Sequence, residues 1–201
     1  MSAGTLRAFL SRPVDYRRSF FWDLGRLAVF LFGVEVVTGI LLSLYYRPDG
    51  EGAYASVGTL MSHVTLGWLV RGIHLVTAHA LTVVVGLYLA RAFFLRTFLR
   101  PNGSVGWVLA VAFSFLTLAF LLTGSVLPWD EQAYWRTVMT AELVSEVPVV
   151  GPWLSDLFRG GPEVSGATLV RLAALHGMLF PWLAFGLILL GRRIRREGGM
   201  K

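Results

Sequence analysis

At 201 residues, 55% hydrophobic and with a mean hydropathy of +0.64, the chain is too apolar for an ordinary soluble domain and has the composition of a membrane protein. Its net charge of +6 rests almost wholly on arginine, Lys201 being the sole lysine, and in such a chain a basic excess reports topology before nucleic acid, which is not an expected partner. The lack of cysteine excludes disulfides, thiolate metal sites, iron–sulfur ligation and thioether attachment of a cofactor to this chain.

Residues 1–24 interleave Arg7, Arg12, Arg17 and Arg18 with Leu, Phe, Tyr and Trp, which predicts an amphipathic helix lying on the membrane surface. No short apolar core with a small-residue cleavage site opens the chain, so no cleaved signal peptide is expected. Four apolar segments follow, about 26–46, 67–95, 105–127 and 168–191, each long enough for a hydrocarbon core that needs roughly 20 helical residues. Trp, Tyr and Phe gather at their edges as in interfacial belts. Between the third and fourth segments, the stretch VVGPWLSDLF predicts short helices on the surface. The expectation is an all-α membrane protein, a single domain over 1–201 built as a four-transmembrane-helix bundle.

Four spans put both termini on one side. That side, residues 1–26, 91–100 and 192–201, carries thirteen of the eighteen basic residues. The opposite loops, 47–66 and 128–167, hold only Arg47, Arg136 and Arg159, together with eight acids. The positive-inside rule then predicts cytoplasmic termini and periplasmic acidic loops in a bacterial-type inner membrane.

Within the second span, Arg71 and His74 lie about one turn apart, and the fourth span repeats the pairing with Arg171 and His176. Charged and ionisable groups at such depth need partners inside the protein. Both spans run from outside to inside, and both histidines fall roughly 10–12 Å deep at 1.5 Å per residue. Equal depth on parallel helices suits one haem held by an imidazole on each face, with Arg71 and Arg171 placed to meet its propionates. The alternative is that each histidine bonds a carbonyl in a packed bundle. Gly39 and Gly124 fall at a similar depth in spans one and three, where the lack of a side chain allows a flat ring to approach. Small-residue helix contacts are the competing explanation for these glycines.

The runs WDLG and TGILLSLYYRP at the ends of span one, AYASVGTLMSHVTLGWLVRGIH, and TGSVLPWDEQAYW followed by VPVVG resemble the cytochrome b/cytochrome b6 family, in its N-terminal four-helix haem-binding domain. The resemblance covers about residues 20–199. It implies a bundle carrying two stacked haems b, each of spans two and four supplying two histidines about 14 residues apart. The outer haem carries over onto His74 and His176, with Arg71, Gly39 and Gly124 beside it. The inner haem does not: Tyr88 and Leu190 stand at the ligand positions and Ala110 where a glycine is expected, although Gly25 and Arg91 remain. Arg26 follows Gly25 where the family has a small residue. One bis-histidine haem b is therefore expected, with large side chains filling the vacated space. Asp23 stands where cytochrome b6 has a cysteine that attaches an extra haem.

The resemblance also implies a quinone site at the outer surface, shared with a partner bearing a PEWY motif, which this sequence lacks. Arg136 stands where the family has glycine or alanine, either crowding such a pocket or pairing with Glu131 or another loop acid for at most about 1 kcal/mol. Glu35, mid-membrane in span one, replaces a frequent glutamine and reads either as a neutral interhelix acid or as a proton-handling group. His79, five residues past His74, reads as a packed or hydrogen-bonded core histidine, and His63, in the outer loop, as solvated or at a subunit contact. Two functions follow, with a purely structural subunit as a third. One is the electron-transfer subunit of a bc/b6f-like quinol-oxidising complex, with a subunit IV-like three-helix partner, a Rieske or c-type/multihaem cytochrome subunit, surrounding lipid and a homodimer of complexes. The other is a one-haem anchor passing electrons between the quinone pool and an attached periplasmic redox enzyme.

Overall fold

The computed structural model describes residues 20–99 and 103–198, and among them the structure is helical with no strand. The predicted surface segment 1–24 therefore lies almost wholly outside the described residues. Four helical stretches are long and apolar enough to cross a membrane: Asp23–Ser43, Gly67–Phe94, Gly103–Val126 and Gly166–Ile194. They belong to α1 (Phe20–Ser43), α3 (Gly67–Phe94), α4 (Gly103–Val126), and a composite fourth span of α7 (Gly166–Ala174), a π-helical turn (Leu175–Leu179) and α8 (Phe180–Gly198). At 1.5 Å per residue α3 is roughly 42 Å long, enough to cross with turns to spare. The first helix starts before the predicted 26 and stops at Ser43, because Tyr45 and Tyr46 leave the helix ahead of Pro48, which disfavours helical geometry in the residue before it.

The acidic loops, at the end of the bundle expected to face outward, are more structured than their charge suggests. Asp49 accepts the backbone N–H groups of Glu51 (3.2 Å) and Gly52, and this turn starts α2 (Gly52–Ser62). Asp130 accepts from Ala133 N at 2.8 Å and caps α5 (Glu131–Ser145). The buried face of α5 is small throughout, with Ala133, Thr137 and Ala141 at helical spacing. Across it runs α6 (Gly151–Arg159), whose buried Ser155 donates to Ala141 O at 2.8 Å. The predicted surface helices between spans three and four are thus α5 and α6.

Two apolar clusters bracket the middle of the bundle. The inner one buries Leu24, Ala28 and Phe32 of α1, Leu81, Val84 and Val85 of α3, and Ala184 of α8, with Tyr88, Phe113, Leu116 and Ile188 packed against them. The outer one joins Ala53 of α2, Val126 of α4, and Leu169 and Leu172 of α7. Tyr46 packs on that outer cluster and donates to Leu127 O at 2.7 Å. Burial, and then the nearby Asp49 charge, push the Tyr46 phenol up, so it stays a neutral donor. Gly50 and Gly166 cross so closely that a Cβ on either would lie within 3.3 Å of the other's backbone, tying the first outer loop to the start of span four.

The π turn at Leu175–Leu179 has a cause in the sequence. Pro181 has no N–H and its ring would clash with the carbonyl four residues back, at Gly177. The chain widens by one residue instead, and Phe180 N–H bonds Leu175 O. One extra residue rotates everything after it by about 100°. This corrects an expectation. Leu190 does not fill the inner space; it is 46% exposed, and Gly191 turns toward Leu109 of α4, a Cβ there lying 3.9 Å from Leu109 Cδ1. Tyr88, by contrast, packs against the inner cluster. Arg26 does not enter the interior either, because its side chain is exposed and pairs with Asp23 one turn away.

Candidate functional site

His74 of α3 and His176 in the π turn meet between the two apolar clusters, their ring centroids 6.4 Å apart and their planes at 68°. Each ring is held through Nδ1 by a threonine from a neighbouring span. Thr38 Oγ1 of α1 lies 2.8 Å from His74 Nδ1, and Thr123 Oγ1 of α4 lies 2.9 Å from His176 Nδ1. The hydroxyl protons are directed elsewhere, Thr38 donating to Val34 O and Thr123 to Ala119 O, each at 2.7 Å. A hydroxyl has only one proton to give, so each oxygen is left to accept the ring N–H. The arrangement selects the tautomer with Nδ1 protonated and Nε2 bare, and no described hydrogen bond engages either Nε2.

Next to each threonine stands a glycine. A Cβ on Gly39 would lie 3.4 Å from His74 Cε1, and one on Gly124 only 2.8 Å from His176 Cε1. The Thr–Gly pair therefore occurs twice, once against each histidine, giving the site an approximate two-fold character. Glu35, one turn before Thr38, places Oε2 3.0 Å from His74 Nδ1. Phe120, one turn before Thr123, stands edge-on to His176 with centroids 5.4 Å apart. Phe120 continues to Phe180 at 5.5 Å and to Phe32 at 6.4 Å, and Phe32 to Phe113 at 6.3 Å, so an aromatic floor separates the site from the inner half of the bundle.

A haem fits this donor set. Two bare imidazole nitrogens, with ring centres 6.4 Å apart, suit a shared metal at about 2 Å from each nitrogen. Among the described residues no group of three or more His, Cys, Asp or Glu side chains gathers as metal ligands. Two protein ligands are too few for a tetrahedral or octahedral bare ion but suffice for a macrocycle that brings four nitrogens of its own.

The other predicted residues fall as follows. Arg71, one turn outward of His74, points toward Met61, its Nη1 lying 3.8 Å from Sδ. Arg171 donates to Leu157 O at 3.3 Å and lies across Gly160, a left-handed glycine with φ +76°, which ties span four to the end of α6. Arg136 donates to Ser125 O at 3.1 Å, so its partner is the carbonyl end of α4 rather than a loop acid. His63 ends α2 and is exposed. His79 is hydrogen-bonded, its Nδ1 2.7 Å from Leu75 O of its own helix, but it is exposed and does not lie in the core as expected. Five residues carry it about 140° around the helix from His74, onto the outer face. The threonines escaped the reading of the sequence, although the repeated Thr–Gly dipeptide at 38–39 and 123–124 was a signal for them.

Comparison with known proteins shows the family and the fold. The family model described as Cytochrome b/b6/petB matches residues 9–196. The chain is 35% identical over 189 residues to a cytochrome b6 of Prochlorococcus marinus strain MIT 9303, covering 94% of this chain and 86% of that protein. A cytochrome b6 of strain AS9601 is 34% identical over the same coverage. Among solved structures, a chain of a hyperthermophilic respiratory complex III shares the fold with a TM-score of 0.80 at 24% identity. That match covers 97% of this chain but only 53% of the complex III chain, so the present chain spans about half its length. With its paired histidines, Thr–Gly supports and four spans in place, the chain belongs to the cytochrome b/b6 family.

Proposed function

We propose that this chain is a haem b-binding electron-transfer subunit of a bc/b6f-like quinol-oxidising membrane complex, holding one haem between His74 and His176 on its outer side. Membership of the cytochrome b/b6 family supports a haem-binding electron-transfer membrane subunit. The observation that carries the one-haem reading is the contrast between the two halves of the bundle. The outer half has two imidazoles with bare Nε2 atoms. The inner half is filled by Leu24, Leu81, Val84, Val85, Tyr88, Phe113 and Leu116, with no histidine at either family ligand position.

When bound, the haem would supply a one-electron carrier, held by His74 and His176 and tuned by their hydrogen bonds. The chain's own contribution is orientation. Thr38 and Thr123 fix the tautomer, Gly39 and Gly124 leave room for the ring, and Phe32, Phe113 and Phe120 keep water from the inner side. Arg71 and Arg171 stand on the outward side as partners for carboxylates. A quinone bound at a surface shared with a subunit IV-like partner, and a Rieske or c-type cytochrome acceptor, complete the assignment.

The packed inner half also favours a second reading, a one-haem anchor that passes electrons between the quinone pool and an attached periplasmic redox enzyme. One haem near the outer face leaves no second haem on this chain to carry an electron across the membrane. Co-purifying subunits separate the two readings. A three-span protein with a PEWY motif together with a Rieske protein supports the first, and a different catalytic subunit supports the second.

The test is haem stoichiometry by pyridine haemochrome on the purified protein. One haem b per chain is expected, and His74→Ala or His176→Ala should abolish it. Two per chain would overturn the one-haem reading, and an unchanged spectrum in either histidine variant would overturn the ligand assignment.

A further inference from the structure

The approximate two-fold character of the site breaks at one position. Three residues before each supporting threonine the chain carries Glu35 on α1 and Phe120 on α4. Glu35, Thr38 and Gly39 share one face of their helix, as do Phe120, Thr123 and Gly124. On the α4 side the result is an aromatic edge 5.4 Å from the His176 ring, which adds no hydrogen bond to Nδ1. On the α1 side it is a carboxyl oxygen 3.0 Å from His74 Nδ1, with the glutamate side chain only 13% exposed. The second carboxyl oxygen, Oε1, is buried without a well-aligned hydrogen bond among the described residues, and the Thr77 side chain of α3 stands beside the carboxyl. A buried acid with so few well-aligned partners is costly unless the imidazole contact is strong.

We propose that Glu35 is a positioning residue for His74, sharing its Nδ1–H with Thr38, so that Nε2 of His74 would be a stronger donor to a bound haem iron than Nε2 of His176. The proposal rests on the reading that the two histidines ligate one haem. Hydrogen bonds to an ionised carboxylate are stronger than those to a hydroxyl, and such a partner on the far nitrogen of a ligating imidazole raises its basicity. The oxidised iron gains more from a better donor than the reduced iron does, so Glu35 holds the reduction potential of the site down.

The test is Glu35→Gln in the membrane-purified protein, which preserves size and can still accept a hydrogen bond, but a weaker one. Redox potentiometry and low-temperature EPR of the ferric protein are the readouts, neither of which needs turnover. Haem content should be unchanged, the midpoint potential should rise, and the low-spin g values should move. Unchanged haem content with wild-type potential and g values would overturn the proposal while leaving the haem reading intact. A wild-type protein without a bis-histidine haem spectrum would overturn both. If Glu35→Gln loses haem, Glu35→Asp decides: retained haem supports the carboxyl's role, and equal loss makes Glu35 a packing residue and overturns it.

Discussion

Gly39 and Gly124 occupy matching places beside the two imidazoles but leave different amounts of room. A Cβ at residue 124 would come within 2.8 Å of the His176 ring, closer than real contacts allow, whereas one at residue 39 would sit 3.4 Å from His74. His176 cannot retreat easily, because Thr123 holds its Nδ1 and Phe120 stands against its ring. Gly124→Ala is therefore expected to cost about 1–3 kcal/mol and to lower haem occupancy, with Gly39→Ala much milder. Absorbance at the haem Soret band per mole of protein, with thermal unfolding in detergent, checks the order, and equal effects would refute it. The threonines give a second prediction at this scale. Thr123→Val keeps the shape but removes the acceptor for the His176 ring N–H, and should weaken haem binding about 10–100-fold, read by haem titration of the apo-protein, whereas Thr38→Val leaves Glu35 to accept from His74 and should cost less. No loss in Thr123→Val would show that the Nδ1 contact does not set the tautomer of His176.

Among the elements, the π turn has the largest consequence. It contains His176, and the extra residue it adds sends Leu190 outward and Gly191 inward toward Leu109. In a regular helix Leu190 would be the inner residue, and replacing it with alanine would cost about 2–5 kcal/mol. With the turn in place, Leu190→Ala should be nearly neutral, while Gly191→Leu should cost about 1–3 kcal/mol by overpacking against α4. Thermal stability of the two variants in the same detergent distinguishes the registers, and the reverse order would contradict the π turn. This element also marks where the sequence was readable and where it was not. The histidines, their glycines and the spans could be read because each is a residue type unusual for its surroundings at a recognisable spacing. The register after His176 could not, because a proline inside an apolar helix is compatible with a kink, a break or a bulge. The face occupied by His79 was open to calculation from helical periodicity alone. The Glu35–His74 contact was not, since it depends on how α1 and α3 lie against one another.

For the whole molecule, the open quantity is the direction in which the bundle sits in the membrane. The described helices include four candidate spans; if all four cross, both ends share a side, and by the positive-inside rule the thirteen basic residues there are expected in the cytoplasm. The proposed haem site lies at the opposite end, beneath α2, α5, α6 and the outer apolar cluster, so orientation decides which compartment supplies its redox partners. The absence of cysteine makes the question clean to ask, because a single introduced thiol is the only one present. Glu163→Cys, exposed in the turn between α6 and α7, should react with a membrane-impermeant maleimide in intact cells or spheroplasts. Arg192→Cys, exposed near the far end of α8, should react only after the membrane is opened. Removing one arginine leaves the charge imbalance between the two sides large, so neither substitution should itself invert the chain. Labelling of Arg192→Cys in sealed cells with protection of Glu163→Cys would reverse the assignment and place the haem at the cytoplasmic face, where neither a Rieske protein nor a periplasmic redox enzyme could reach it.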